Sequence, residues 1–392
     1  GISTFRNTMN VGAAVTISES GIEASGIGIT VANINGGAIS GRRNLVINGA
    51  MMVAQRGTSA TTNGFGTVDR FQVAYSGTDE SPTQAQVDVS SGTSPYSEGF
   101  RKAFKITNGN QTSGAGAGDY ITFTYKPEAQ DIANSGWNYT STSSFITLSF
   151  WVKSSVAQTF QGTVTSKDGT KQGFIYEFAL SADTWTKIIK TLPGNSNLTF
   201  DNNNAAGAEI NLIPFIGTTY TSASPTLNAW GAYSSSTSRK DMTSTWYTTN
   251  DATFEVTGMQ LEVGSQATPF EHRSFGEELQ LCKRYYEVLV SGTGKTWGGA
   301  TVMYQDHETH HQCNFVEKRA TPTLDYVSGT NYYRYYGNGT NGESNTLDQF
   351  LYVTTRSAGI VVNTLGTNLL AGGAAFSYTT NANAFVAISA EL

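Results

Sequence analysis

The chain has 392 residues, a formal net charge of −6 and only 14% charged residues, against about 25% in ordinary soluble domains, while Ser, Thr and Asn supply roughly 30% of it. These figures exclude a helix-rich enzyme and a basic nucleic-acid binder, and no run approaches the ~18 apolar residues of a membrane helix, so neither a nucleic-acid partner nor membrane insertion is expected. With 19 Tyr and 20 Phe to fill a core, the composition points to an all-β protein rich in polar turns.

In residues 1–40, Val11, Ala13, Val15 and Ile17, then Ile27, Ile29 and Val31, alternate with small or polar residues. That is strand patterning broken by glycine. Forty residues of small side chains cannot build a core alone, so the segment reads as an oligomeric β stalk buried against copies of itself. The chain starts at Gly1 without a Met and shows no signal peptide, which reads as a fragment or processed product. Residues 41–275 form one large jelly-roll or β-sandwich domain. Its strand-like runs include Phe71–Tyr75, Ala103–Thr107, Tyr120–Tyr125, Phe145–Val152, Phe174–Leu180, Trp185–Ile189, Ile210–Ile213 and Ala252–Leu261, with turn clusters between them. A linking helix is expected in 276–289. Gly276 precedes it, Glu277 and Glu278 lie in its first turn, and Leu281, Cys282 and Tyr285 share one face. Residues 290–392 read as a C-terminal β-sandwich domain with strands near Thr301–Tyr304, Cys313–Glu317, Phe350–Thr354, Gly359–Asn363 and Ala384–Leu392, the last closing a sheet. Cys282 and Cys313 are the two cysteines, which fits synthesis in a reducing cytoplasm rather than a disulfide framework.

Several motifs form a set: Arg43-Asn-Leu-Val-Ile-Asn-Gly-Ala-Met51, Ala54-Gln-Arg-Gly57, Val68-Asp-Arg-Phe71, Leu148-Ser-Phe-Trp-Val-Lys-Ser154, Phe254-Glu-Val-Thr-Gly-Met-Gln-Leu-Glu-Val-Gly264, Ala267-Thr-Pro-Phe-Glu271, Cys282-Lys-Arg-Tyr-Tyr286 and Lys318-Arg-Ala-Thr-Pro-Thr323. Together, over roughly residues 41–325, they resemble the tail-fibre and appendage proteins of tailed bacteriophages, including those of marine bacteria and cyanobacteria. The resemblance implies a carbohydrate-binding-like jelly roll, a homotrimer and a place on the virion. It supplies no catalytic residue. Most motif residues read as structural. Asp69 and Arg70 are expected to form a buried polar pair, Trp151 to be core, and Pro269 and Pro322 to set turns or strand starts.

His307-Glu-Thr-His-His311 matches the zinc-protease pattern, but that chemistry requires a helix to bring both histidines to one ion. The flanks read as strands, so a hairpin turn is expected there. A trimer axis could still gather His307, His310 or His311 as metal ligands. Gly292-Thr-Gly-Lys-Thr296 fails as a phosphate loop because Leu289 stands where glycine is required. Aromatic groups in polar loops are candidate sugar platforms: Trp137 with Tyr139, Trp230 with Tyr233, and Trp246 with Tyr247. In 331–339, a strand would turn Tyr332, Arg334 and Tyr336 outward and Tyr333 and Tyr335 inward.

The expected function is a non-catalytic virion tail-fibre protein, assembled in the host cytoplasm. It would attach to other tail or virion proteins through its N-terminal segment and bind a host surface polysaccharide multivalently, with no cofactor. A tailspike-like depolymerase, drawing on carboxylates such as Asp241, Asp251 and Glu255, and a purely architectural adaptor or decoration protein remain the alternatives.

Overall fold

A computed structural model describes residues 42–337, 339–363 and 370–392, and the backbone of 15–18 and 21–24. In the N-terminal segment, Val15–Ser18 and Gly21–Ala24 pair as an antiparallel hairpin. The alternation at Val11, Ala13, Ile27, Ile29 and Val31, and with it the stalk, lies outside the described residues.

Two six-stranded antiparallel sheets make the larger unit. In spatial order, the first holds Ser59–Ala60, Thr83–Asp88, Lys102–Thr107, Thr253–Val263, Phe145–Ser154 and Thr186–Pro193. The second holds Phe71–Ser76, Tyr120–Tyr125, Ala208–Ile216, Gln158–Ser166, Gln172–Leu180 and Trp230–Ala232. The chain crosses repeatedly between them, as in a jelly roll. Their facing residues interlock through aromatic pairs that bridge the sheets: Phe104 with Phe123 at 5.0 Å, Phe160 with Phe254 at 5.2 Å and Phe150 with Phe178 at 5.8 Å. This is the β-sandwich that composition and alternation call for. Thr83–Asp88 escapes a hydrophobicity scan because Gln84 and Gln86 stand on its core-facing side, opposite Ile106 and Phe104, and Gln158–Ser166 escapes it because its outward residues are Thr and Gln. Pro214 sits where the register of Ala208–Ile216 shifts against Tyr120–Tyr125, a place where a strand tolerates a missing N–H.

The opening motif closes this sandwich. Asn44 Oδ1 accepts from Val46 and Leu261, and its Nδ2 donates to Met259 O. Asn48 has φ 62°, and its side chain bridges Val53, which it both donates to and accepts from, and the carbonyl of Asp69. A Cβ on Gly49 would stand 2.1 Å from Met259 O, so the segment lies on its strand only with glycine there.

The helix runs Phe275–Lys283, starting earlier than expected. Ser274 is its cap and forms a reciprocal capping box with Glu277, so Gly276 lies inside the first turn. The helix also ends earlier, because Tyr286–Ser291 pairs with Phe385–Ser389. That C-terminal strand, expected to close a sheet, completes this one from its centre. It is the middle of three, with Thr323–Tyr326 on its other side and Pro322 just before that strand. Val386, Ala387 and Ile388 are fully buried there.

The second, larger sheet of the C-terminal unit has seven strands: Thr340–Ser344, Tyr333–Gly337, Ala374–Thr379, Thr301–Gln305, Glu308–Asn314, Ser357–Asn363 and Gln349–Leu351. It packs on the three-stranded sheet over Val290, Met303, Tyr333, Tyr335, Ile360, Val386 and Ile388. Cys282 and Cys313 are both buried and free.

The two units meet across a buried polar junction. Arg70, 1% exposed and at φ 74°, pairs with Glu391 at 2.7 Å and donates to Lys126 O at 2.6 Å. Its guanidinium carbon lies 3.4 Å from the centroid of the Tyr285 ring. Arg56 repeats the arrangement over Tyr286 at 3.4 Å and also reaches Glu391. Glu128 accepts from Arg284 and from the Tyr285 hydroxyl. Asp69 and Arg70 are therefore both buried, but not as each other's partner, because Gln55 serves Asp69 through its backbone and side-chain amides. Both residues lie in the turn just before Phe71–Ser76, where Arg70 takes φ 74°, and their side chains go to different partners.

Replacing Glu391 with Ala leaves the Arg70 guanidinium buried without its counter-charge. The expected cost is about 3–5 kcal/mol, read as a lower midpoint in chemical unfolding. Burial pushes the Asp69 carboxyl up to about 6 against the lowering effects of Gln55 and Arg56. Its unfolded value is near 3.8, so the native state holds the proton more tightly. The stability this contributes is complete below pH 3.8 and is lost as pH rises through 6. Asp69→Asn should therefore gain roughly 3 kcal/mol relative to the parent between pH 4 and pH 7, measured as the difference between paired unfolding curves.

Candidate functional site

The outer face of the second sandwich sheet is polar by register. Thr124 lies opposite Gln72 on one side and Asn211 on the other, and Asn211 lies opposite Thr163. Alternation sends Phe71, Phe123, Ile210 and Val164 into the core and this row outward. The row is a hydrogen-bonded chain. Thr124 Oγ1 donates to Asn211 Oδ1 at 2.6 Å, and Asn211 Nδ2 donates to Thr163 Oγ1 at 3.3 Å and Glu209 Oε1 at 3.0 Å. Lys167 Nζ donates to Glu209 Oε2 at 2.9 Å. Burial works to raise the Glu209 carboxyl, but Asn211 and the Lys167 ammonium outweigh it and hold it below its ordinary value.

Two segments wall this row into a cleft of about 370 Å³. On one side Tyr120 and Tyr220 meet edge to face at 5.6 Å. On the other, the segment after Trp230–Ala232 brings Tyr233, Ser235 and Arg239 over the sheet. Gln161 pins that segment through a reciprocal pair of bonds with the Lys240 backbone, and Tyr233 N donates to Lys171 O. The Tyr233 ring lies over Gly173, where a Cβ would stand 3.5 Å from its Cδ2. Hydroxyls and amides on the floor with aromatic rings at the rim can bond a polyol's hydroxyls and cover its C–H faces.

Of the residues singled out from sequence, Tyr233 lies in this cleft. Trp230 lies on the neighbouring edge, half-buried against Phe174 at 5.5 Å with its Nε1 donating to Pro193 O, and it faces a separate hollow shared with Gln172 and Asn197. The other two aromatic groups are corrected. Trp246 and Tyr247 are 0% and 1% exposed. Trp246 Nε1 donates to Thr253 O, and Tyr247 stacks on Phe215 at 4.3 Å. They sit on a one-turn helix, Thr245–Thr248, that plugs the end of the core, so their ring faces are already covered. Trp137 is buried and packs with Tyr139 against Phe200, which makes them a core extension rather than a platform. Trp151 is buried as expected, with its Nε1 donating to Glu98. Sequence reasoning missed Gln72, Tyr120, Thr122, Thr124, Glu209, Asn211, Tyr220 and Arg239. The alternating threonines of Tyr120–Tyr125 signalled an outward polar face, but which strands would lie beside it was not readable.

The histidine motif spans a turn and a strand. His307 lies in the turn between Thr301–Gln305 and Glu308–Asn314. His310 points outward to Glu308 and to the Tyr304 ring at 4.7 Å. His311 points inward to Ser377 and to the Trp297 ring at 5.9 Å, and burial lowers its pKa to about 4. His310 and His311 thus face opposite sides of one sheet. No group of three metal-ligating side chains occurs among the described residues. The buried Ser377–His311 contact has no accessible face for a substrate.

Tyr333 and Tyr335 are buried and Arg334 and Tyr336 face outward, the alternation expected for this strand. Tyr332 lies just before the strand and packs partly on the core. Arg334 pairs with Glu343, and Tyr336 neighbours Phe376 at 5.6 Å, which neighbours Tyr378 at 5.7 Å. Tyr304, Tyr336 and Phe376 are 65%, 40% and 44% exposed, so this sheet carries an open aromatic face. Of the carboxylates considered for catalysis, Asp241 bonds Thr221 near the cleft wall, Asp251 lies in a turn at φ 56°, and Glu255 pairs with Lys153 on the other sheet.

No protein-family model and no curated protein matches the sequence. Solved structures with local likeness include the enzymatically active domain of bacteriophage CBA120 tailspike protein 4, at 12% identity over 56% of this chain and 21% of that one, TM-score 0.30. The chain therefore spans about a fifth of that domain's length. A CBM4 structure matches at 12% identity over 50% of this chain and 94% of that one, TM-score 0.26. The family 11 carbohydrate-binding module of Clostridium thermocellum, in complex with a mixed-linked tetrasaccharide, matches at 12% over 55% and 98%, TM-score 0.24. Likeness at this level carries no argument about function, which rests on the cleft itself.

Proposed function

We propose that the chain is a non-catalytic glycan-binding protein, and that it serves as a tail-fibre component of a phage virion at adsorption. The observation that carries the reading is the walled polar cleft, where Thr122, Thr124 and Asn211 form the floor and Tyr120, Tyr220 and Tyr233 the rim. A pyranose offers what such a cleft accepts: hydroxyls around its edge and apolar C–H faces above and below. The cleft's volume falls in the range of small-ligand sites, ~300–1,000 Å³. Glu209 is the sole carboxylate lining the cleft among the described residues, and Lys167 and Asn211 occupy its oxygens. Hydrolysis of a glycosidic bond draws on two carboxyl groups ~5–9.5 Å apart, so binding without cleavage is the reading this lining favours. The virion role rests on the motif resemblance over residues 41–325. Trimerisation through the N-terminal segment would then set three weak sites on one support and raise avidity without new contacts. The open aromatic face around Tyr336 offers a shallower second contact.

The expected outcome is that the purified chain binds envelope polysaccharide of a susceptible host and leaves its length unchanged in size-exclusion chromatography. Tyr220→Ala and Tyr233→Ala should each weaken binding about tenfold or more, within the range of one lost sugar–aromatic contact, while thermal unfolding stays unchanged. Shortening of the polymer favours a depolymerase, and binding to no glycan favours an architectural part. Light scattering should give a trimer for the full chain and a monomer once residues 1–40 are deleted. A monomeric full chain removes the stalk.

A further inference from the structure

We infer that the cleft takes an anionic glycan, with Arg239 as the residue that reads its acidic group. This deepens the glycan-binding reading and rests on it. The other described arginines are occupied. Among the described residues, every other arginine donates to a carboxylate, a carbonyl or a hydroxyl. Arg239 donates to none of these, and its Nε is buried without a partner. The Tyr233 ring centroid lies 6.0 Å from its guanidinium carbon, at the outer limit of a cation–π contact.

The charge balance of the cleft decides the sign of its ligand. Two charged side chains line it, Glu209 and Arg239. Glu209 is answered by Lys167 at 2.9 Å and by the Asn211 amide. Arg239 is answered by nothing, so the uncompensated charge in the cleft is positive. The backbone that carries it is fixed: Ser222 N donates to Arg239 O, and Lys240 is held by Gln161. A planar guanidinium with free donors on a pinned segment suits a carboxylate or sulfate, which accepts two parallel N–H bonds. The net charge of −6 repels a polyanion at long range, but that field is screened beyond about 8 Å at physiological salt. Recognition is therefore a short-range contact at one sugar, not an electrostatic capture of the polymer, and it shows a shallow salt dependence.

Uronates and sulfated sugars present the same chemistry, and the test separates them. Polygalacturonate, a sulfated galactan and a neutral galactan are titrated into the full chain, its Arg239→Ala, Arg239→Gln and Arg239→Lys variants, and Tyr233→Ala. The expected result is that one acidic polymer binds roughly 10- to 100-fold more tightly than the neutral one, the range of a charge-assisted hydrogen bond. Arg239→Ala and Arg239→Gln should erase that preference, and Arg239→Lys should restore part of it. Arg239→Gln, which keeps a polar side chain of intermediate length, serves if the alanine variant fails to fold. Whichever acidic polymer is preferred identifies the anion. Equal binding of acidic and neutral polymers, unchanged in the Arg239 variants but lost in Tyr233→Ala, overturns the anionic preference and leaves the cleft as a glycan site. Binding of none of the three polymers to the parent chain overturns this inference, while the host-polysaccharide assay independently decides the broader reading.

Discussion

The arrangement of the whole chain hangs on one buried cation. Arg70 leaves the end of a turn in the sandwich, lies flat on Tyr285 beside the helix terminus, and ends on Glu391 from the C-terminal unit. Each partner comes from a different part of the sequence, and each covers a different side of the guanidinium. A buried charge is costly unless it is paired and hydrogen-bonded, so the three parts must dock together or leave that cost unrelieved. The second stack, Arg56 on Tyr286, shares the same carboxylate. Such pairs add less to stability than their geometry implies, because desolvation offsets the attraction. What they add is registry, since an apolar patch could slide and this junction cannot.

The fold was readable where side chains alternate strongly. Phe145–Ser154, Tyr120–Tyr125 and Thr253–Val263 announce themselves through aromatic and β-branched residues on one or both faces. The capped helix was readable in kind but misplaced at both ends, because Glu277 answers Ser274 rather than Gly276 and because Tyr286 is claimed by a strand over 90 residues distant in sequence. Thr83–Asp88 was silent, since Gln84 and Gln86 hold its core-facing positions and leave no apolar alternation to read. Trp246 and Tyr247 show the reverse error. Their polar neighbours said loop, and loop aromatics suggested a ligand platform, whereas a single helical turn folds both rings into the core.

The cleft was the least legible part, for a physical reason. Its floor is assembled from strands that sequence places far apart. Gln72, Thr124, Asn211 and Thr163 become neighbours only through sheet order, which composition and periodicity do not encode. Each residue alone is an unremarkable polar position on an outward face. Only their common register, and the return of the segment carrying Tyr233 and Arg239 across them, turns a solvated sheet face into a walled site. The polar excess of the chain thus divides between turns and this row, and the row is where it has chemistry to do.

The Arg70–Glu391 contact joins residues 321 positions apart. During synthesis at about 5–20 residues per second, the last sandwich strand, ending at Val263, precedes the counter-ion Glu391 by roughly 6–26 seconds. Over that interval the nascent domain holds an arginine shaped for a partner that has not been made. The same is true of the three-stranded sheet, whose central strand arrives after both of its neighbours. Synthesis of the segment that carries Phe385–Ser389 and Glu391 is therefore the event that fixes the two units to each other, and a polypeptide that stops short of it would keep a folded front and an open seam.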